Sequence, residues 1–239
     1  MDISIVVPTY NEKENIEELI PQIESIFAEK SFEIIVVDDD SPDGTKEAAL
    51  TLHEKYGNIC VLTPQEKSGI GAALKKGYDA AKRKFILSID SDQSFSPKDL
   101  LRIVEQLDVG NDLVIGSRHM DSGKYEMETF STKIKGLVSS LGNVLTRWIS
   151  GIPVHDFSAN LRGIKNRTWK TIQLKDNTNT MLLEMIMKVH YSGQRVMEIP
   201  VQFKERRHGK SKLNLKKEAP KFFMKLLWYT VLFRVLKKS

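Results

Sequence analysis

Short, almost wholly apolar runs alternate with helical stretches through the first half of this chain, and that alternation limits the folds open to it more than any other feature. Ile3 to Val7, Phe32 to Val37, Ile59 to Leu62, Phe85 to Ile89 and Leu113 to Ile115 read as strands buried on both faces. Helical patterns lie between them, over Glu14 to Phe27, Thr45 to Tyr56, Gly71 to Ala81 and Pro97 to Leu107. A βαβα order predicts an α/β fold with an open, mainly parallel sheet covered by helices on both sides. Ligands of such a sheet bind beyond the carboxyl ends of its strands.

The residues just past those ends are therefore the first candidates for function. The first strand leads into Pro8-Thr9-Tyr10-Asn11-Glu12, the second into Asp38-Asp39-Asp40-Ser41-Pro42-Asp43-Gly44-Thr45. The fourth leads into Asp90-Ser91-Asp92 and the fifth into Gly116-Ser117-Arg118. Two carboxylates flanking one residue at a buried strand end suit a divalent cation, Mg²⁺ or Mn²⁺, which prefers oxygen ligands and leaves positions for phosphate oxygens. The bland alternative is that these acids cap the helix starting near Pro97. Asp38 and Asp39 suit a base N–H or a ribose hydroxyl, or else Asp39, Asp40 or Ser41 caps the next helix. Pro42-Asp43-Gly44 is a turn signature and needs no ligand. Gly69-Ile70-Gly71 lacks the rest of a dinucleotide fingerprint and reads as a loop entering a helix. The five histidines have no metal-site spacing, and no serine sits in a nucleophile-elbow pattern.

The second half is less regular. From 132 to 152, apolar residues at 134, 137, 138, 141, 144, 145, 148, 149 and 152 have amphipathic helical spacing. The stretch 216–238 is also helical, and Lys225 and Arg234 bracket its apolar run, well short of the ~20 residues a spanning helix needs. Both helices are expected to lie on a membrane surface rather than cross it; packing on the core or in a dimer is the alternative.

Charge sharpens this picture. From Arg195 to Ser239 there are 13 basic and three acidic residues, a net +10 that leaves −5 for the rest of a chain of net charge +5. Such a tail suits anionic lipid, a phosphorylated ligand or nucleic acid. Arg206-Arg207-His208-Gly209-Lys210-Ser211-Lys212 is a basic, glycine-containing loop that can close over a diphosphate or a lipid phosphate. No aromatic interleaving accompanies it, so nucleic acid is not expected as a partner. Cys60 is the only cysteine, which excludes an intrachain disulfide or a cysteine-cluster zinc site and suits a reducing, intracellular setting. Met1 and Asp2 run directly into a strand, and no signal peptide is expected.

In their order along the chain, the motifs from Val7 to Glu12, Val37 to Thr45, Asp90 to Asp92, Gly116 to Arg118 and Arg206 to Leu213 resemble the family 2 glycosyltransferases of GT-A (Rossmann-like) fold, and among them the polyprenyl-phosphate mannose synthases. The resemblance implies one glycosyltransferase domain over 1–239: a nucleotide-sugar half (1–130), an acceptor-side half (131–215) and an amphipathic tail (216–239). It also implies that Pro8, Tyr10, Glu12, Val36 and Asp38 contact the nucleoside. Asp90 and Asp92 would hold the metal with Ser91 between them at the substrate, and Arg118, Arg206 and Lys212 would meet phosphates. Asp156 and Arg162 match an acid and an arginine of the acceptor-side segment, and Glu184 an acid in a later helix. Where the family commonly has Ser-Gly-Phe-Arg, this chain has Ala159-Asn160-Leu161-Arg162, and Asn tolerates left-handed backbone angles, so the turn is expected to survive. Asp40 stands where Asn or Gly is more usual.

The implied reaction is an inverting transfer of a hexose, mannose by resemblance, from a nucleotide sugar to a polyprenyl or dolichyl phosphate at the cytoplasmic face of a membrane. UDP-glucose or UDP-N-acetylglucosamine as donor, a non-lipid glycan acceptor, a sugar nucleotidyltransferase and a non-catalytic membrane adaptor are the alternatives.

Overall fold

The computed structural model describes residues 2–64, 69–120, 124–125, 130–206 and 215–236. In chain order the elements are β1 (Asp2–Thr9), α1 (Lys13–Phe27), β2 (Ser31–Asp38), α2 (Thr45–Tyr56), β3 (Ile59–Leu62), α3 (Ile70–Ala80), β4 (Phe85–Ser88), α4 (Asp99–Asp108), β5 (Leu113–Ser117) and β6 (Lys124–Tyr125). There follow α5 (Phe130–Ser150), β7 (Arg162–Lys165), α6 (Asn166–Ile172), α7 (Met181–Tyr191), β8 (Val196–Pro200), β9 (Gln202–Phe203), α8 (Leu215–Tyr229) and a π-helical segment, Thr230–Val235.

Seven strands form one sheet in the order β3-β2-β1-β4-β7-β5-β8. Valine and isoleucine fill β1, β2 and β5 because both faces of these strands are covered, and β-branched side chains fit such a surface. The chain winds outward from β1 to β3 and then back across to β4. With right-handed crossovers this reversal puts α1 and α2 on one face and α3 and α4 on the other. The switch point lies between β1 and β4, and ligands of such sheets bind beyond the carboxyl ends of the strands there.

Strand β7 departs from the alternating pattern. It runs antiparallel between β4 and β5, with Arg162 beside both Ser88 and Ile115. An antiparallel strand brings its preceding residues to the carboxyl edge, so segment 156–161 arrives next to Asp90. Gly163 permits this: a Cβ there would stand 2.5 Å from Ile103 and 2.6 Å from Leu87. The expected nucleotide-sugar and acceptor-side halves are thus interleaved in a single sheet rather than set side by side.

Helix α5 matches the amphipathic expectation for 132–152, but its apolar stripe faces outward. Leu137, Val138, Leu141, Val144, Leu145 and Trp148 are exposed, whereas Asn143, Thr146 and Ser150 are buried against the protein. On α8, Met224 and Trp228 are exposed while Leu226 and Tyr229 turn inward, where the Tyr229 hydroxyl donates to Asp176 at 2.9 Å. Among the described residues, no helix is long and apolar enough to cross a membrane.

Candidate active site

The carboxyl edge of the sheet is built from backbone ends before any side chain chemistry is added. Asp39 N–H bonds to the carbonyl of Thr9, and Ile89 N–H to that of Val6, so the segments leaving β1, β2 and β4 begin side by side. Pro8 is buried at the end of β1, with Tyr10 and Glu12 half-buried beyond it. Glu12 accepts from Asn15 Nδ2, and its own N–H donates to Thr45 Oγ1 at 3.0 Å. Asp38 accepts from Thr9 Oγ1 at 3.2 Å and from the Ser41 N–H at 3.1 Å. Asp39 accepts from the Gly69 N–H at 2.9 Å.

These contacts revise one expectation and explain another. The carboxylate that serves the start of α2 is Asp43, which accepts from the Thr45 N–H at 3.0 Å, and not Asp39, Asp40 or Ser41. Asp40 has φ +61, left-handed backbone in which Asn or Gly is at ease. Val36, like Pro8 and Asp38, is buried at this edge of the sheet.

Asp90 and Asp92 stand just beyond β4, with Ser91 buried between them. Burial first, and then the charge of Asp92, push the Asp90 carboxyl up to about 6, against the pull of Asn160, Arg118 and Arg206. Crowded carboxylates of this kind fit a divalent cation, which would relieve both burial and repulsion. Asn160 Nδ2 donates to Asp90 Oδ1 at 2.9 Å. Asp92 accepts from the Ser94 N–H at 3.0 Å, closing a local turn rather than capping α4, and its other oxygen lies 2.9 Å from Arg206 Nη2. Lys212 lies outside the described residues.

Farther along the same edge, the Arg118 guanidinium at the end of β5 grips Asp156 with two hydrogen bonds, Nε–Oδ2 at 2.7 Å and Nη2–Oδ1 at 2.9 Å. Asp156 is fully buried, and burial alone would raise its pKa. The Arg118 guanidinium overcomes that and holds the carboxyl at about 2. Glu198 on β8 steadies the same segment by accepting from the N–H groups of His155 and Asp156 at 2.8 and 2.9 Å. Helix α5 reaches in with Asn143, whose Oδ1 accepts from the Phe157 N–H, and with Arg147 beside His155 Nε2.

Arg162 corrects its expected place on the acceptor side. It is fully buried in β7, donating to the carbonyls of Ala159 and Leu182, so it clamps the 159–161 turn from inside and offers a ligand nothing. Glu184 is also interior and accepts from the Asp176 N–H at 2.8 Å. Asn160 does not take up left-handed backbone, and its side chain points to Asp90 instead. Asn160 and Glu198 escape sequence reasoning, since their partners lie 70 and 42 residues away.

The fold recurs in solved enzymes. Glucosyl-3-phosphoglycerate synthase of Mycobacterium tuberculosis, bound to Mn²⁺, UDP and phosphoglyceric acid, superposes with TM-score 0.72 at 19% identity, over 95% of this chain and 78% of that one. A mannosyltransferase of Pyrobaculum calidifontis with GDP-mannose and Mn²⁺ does so with TM-score 0.64 at 18% identity, over 99% of this chain and 64% of that one. At such identities the likeness shows the fold, that of the GT-A glycosyltransferases.

Sequence relatives are nearer. The dolichol-phosphate mannosyltransferase of Pyrococcus furiosus is 34% identical over 217 residues, 89% of this chain and 59% of that protein. This chain therefore spans less than two thirds of that relative. The polyprenol monophosphomannose synthase of Mycolicibacterium smegmatis is 30% identical over 218 residues, 88% of this chain and 80% of that protein. Residues 4–169 match the pattern described as glycosyl transferase family 2, and with these relatives the match establishes that the chain belongs to that family.

Proposed function

We propose that the protein transfers a hexosyl group, mannose first, from a nucleoside-diphosphate sugar to a polyprenyl phosphate, with inversion at the anomeric carbon. The observation that carries the reading is the charged cluster beyond the carboxyl edge of one sheet, where Asp90 and Asp92 lie within the influence of Arg118 and Arg206 and Arg206 touches Asp92. Names borne by the relatives support mannose and a polyprenyl phosphate as the substrates.

In this reading Pro8, Tyr10, Glu12 and Asp38 cradle the nucleoside beyond β1 and β2. Asp90 and Asp92 would hold Mg²⁺ or Mn²⁺, which supplies Lewis-acid charge for the departing diphosphate. Arg206, and Lys212 on the basic loop, add charge-assisted hydrogen bonds to the same phosphates. Arg118, locked by Asp156, faces the acceptor side with a fixed guanidinium. The attacking oxygen belongs to a phosphate monoester whose second pKa is about 6, so it is already largely ionised at neutral pH and needs no protein base. It displaces the nucleoside diphosphate in line, and charge passes from acceptor phosphate to leaving group.

The outward apolar stripes of α5 and α8 support peripheral attachment. The basic segment 195–239 suits the anionic cytoplasmic leaflet. Incubation with labelled GDP-mannose, UDP-glucose or UDP-N-acetylglucosamine and vesicles carrying a polyprenyl phosphate tests the whole. Metal-dependent label in the lipid phase from GDP-mannose, absent with Asp92→Ala, is the expected result. Label in lipid from a UDP-sugar alone would replace mannose, and none from any donor would sink the reading.

A further inference from the structure

We propose that Asn160 is a positioning residue for the carboxylate pair: it holds one oxygen of Asp90 from behind, so that only the other faces the cation. The inference rests on the reading of Asp90 and Asp92 as metal-holding.

Asn160 is 3% exposed, and its Nδ2 donates to Asp90 Oδ1 at 2.9 Å. Its own Oδ1 accepts from Ser88 Oγ at 3.0 Å, and its backbone carbonyl accepts from the same hydroxyl at 2.7 Å. Ser88 has one proton, which these two acceptors share. The Ser88 oxygen must then accept from the Tyr78 hydroxyl, 2.8 Å away. Every donor in the row points the same way, from Tyr78 to Ser88 to Asn160 to Asp90. The ionised Asp90 carboxylate can only accept, which sets the amide orientation, nitrogen toward Asp90 and oxygen toward Ser88. Tyr78 and Ser88 are both fully buried, so the row has no water to compete with it and is stiff.

A carboxylate with both oxygens open can chelate a cation through the two together, a mode that Ca²⁺ accepts readily. With one oxygen engaged by Asn160, Asp90 is left to bind through a single atom, as small octahedral cations prefer. Asn160 therefore strengthens cation binding and biases it toward Mn²⁺ or Mg²⁺ over Ca²⁺.

The test measures Mn²⁺ binding to the full chain with guanosine diphosphate by electron paramagnetic resonance, with Ca²⁺ as competitor. Asn160→Ala is expected to raise the Mn²⁺ Kd about 10–100-fold and Ser88→Ala by less. The preference for Mn²⁺ over Ca²⁺ should shrink in Asn160→Ala, while metal-free binding of the nucleotide stays at the wild-type value. Wild-type Mn²⁺ affinity in a folded Asn160→Ala protein overturns the proposal, as does equal weakening for Mn²⁺ and Ca²⁺. Should Asn160→Ala not fold, Ser88→Ala decides, and an unchanged Mn²⁺ affinity there overturns it. A wild-type protein that binds no Mn²⁺ defeats the carboxylate reading itself, a result visible before any substitution is made.

Discussion

Arg206 Nη2 lies 2.9 Å from Asp92 Oδ2, so the carboxylate read as a metal ligand has a cationic side chain as its neighbour. A guanidinium and a divalent cation would compete for that oxygen, and in the proposed reaction the guanidinium also serves the diphosphate. Arg206→Ala is therefore expected to bind Mn²⁺ alone more tightly than the wild type. The same variant should lose about 10–100-fold in kcat/KM, since it lacks a charge-assisted bond to the leaving group. Calorimetry with metal alone, set beside steady-state kinetics, reads the two opposite signs. Loss of both would reduce Arg206 to a structural role.

The Arg118–Asp156 pair sets an acid limit on stability. Its carboxyl is held at about 2 in the folded protein against an ordinary 3.8, so ionised Asp156 favours folding. That contribution, about 2 kcal/mol at neutral pH, is present above pH ~4 and lost as pH falls from there toward 2. Urea unfolding from pH 3 to 7 should show Asp156→Asn with a flatter acid limb than wild type. Arg118→Ala should cost more, about 3–5 kcal/mol at pH 7, because it leaves a buried charge unpaired.

Trp148 is 80% exposed on the outward stripe of α5, so replacing it tests attachment without touching the core. The double substitution Trp148→Glu and Leu141→Glu should leave the thermal midpoint unchanged and weaken flotation with anionic vesicles about 10–100-fold. Unaltered flotation would remove α5 from the membrane contact.

Two glycines in helices should respond in opposite directions. At Gly71 an added Cβ would stand 2.1 Å from the carbonyl oxygen of Thr178, whereas at Gly142 it would meet nothing within 4 Å. Gly71→Ala should destabilise by about 2–3 kcal/mol through displacement of the 176–180 segment. Gly142→Ala should stabilise by about 0.5–1 kcal/mol through helix propensity alone. Chemical denaturation of the two variants side by side gives both signs.

Strands β1 to β5 are legible in the sequence because each is a run of apolar residues buried on both faces, a local signal. The acids past β2 and β4 are legible for the same reason, since strand ends locate the binding edge. Arg162–Lys165 escapes, because Arg-Gly-Ile-Lys has no strand signature and becomes a strand only by fitting between β4 and β5. The burial of Arg162 follows from that insertion and reverses the expectation that it would meet a ligand. Spacing along 132–152 reveals an apolar stripe but not which way it faces. That is decided by Asn143 and Arg147, which tie the opposite side of α5 to the segment 155–157.

The insertion of β7 also bears on how substrates enter. Its backbone bonds join β4 on one side and β5 on the other, so the strand ends that carry Asp90 and Arg118 share one hydrogen-bonded frame. The ends of β4 and β5 cannot swing apart about a hinge without breaking that ladder. A bilayer that moved α5 would pull on segment 155–157, and with it on Asp156 and Arg118, while leaving the ends of β1 and β2 where the sheet holds them.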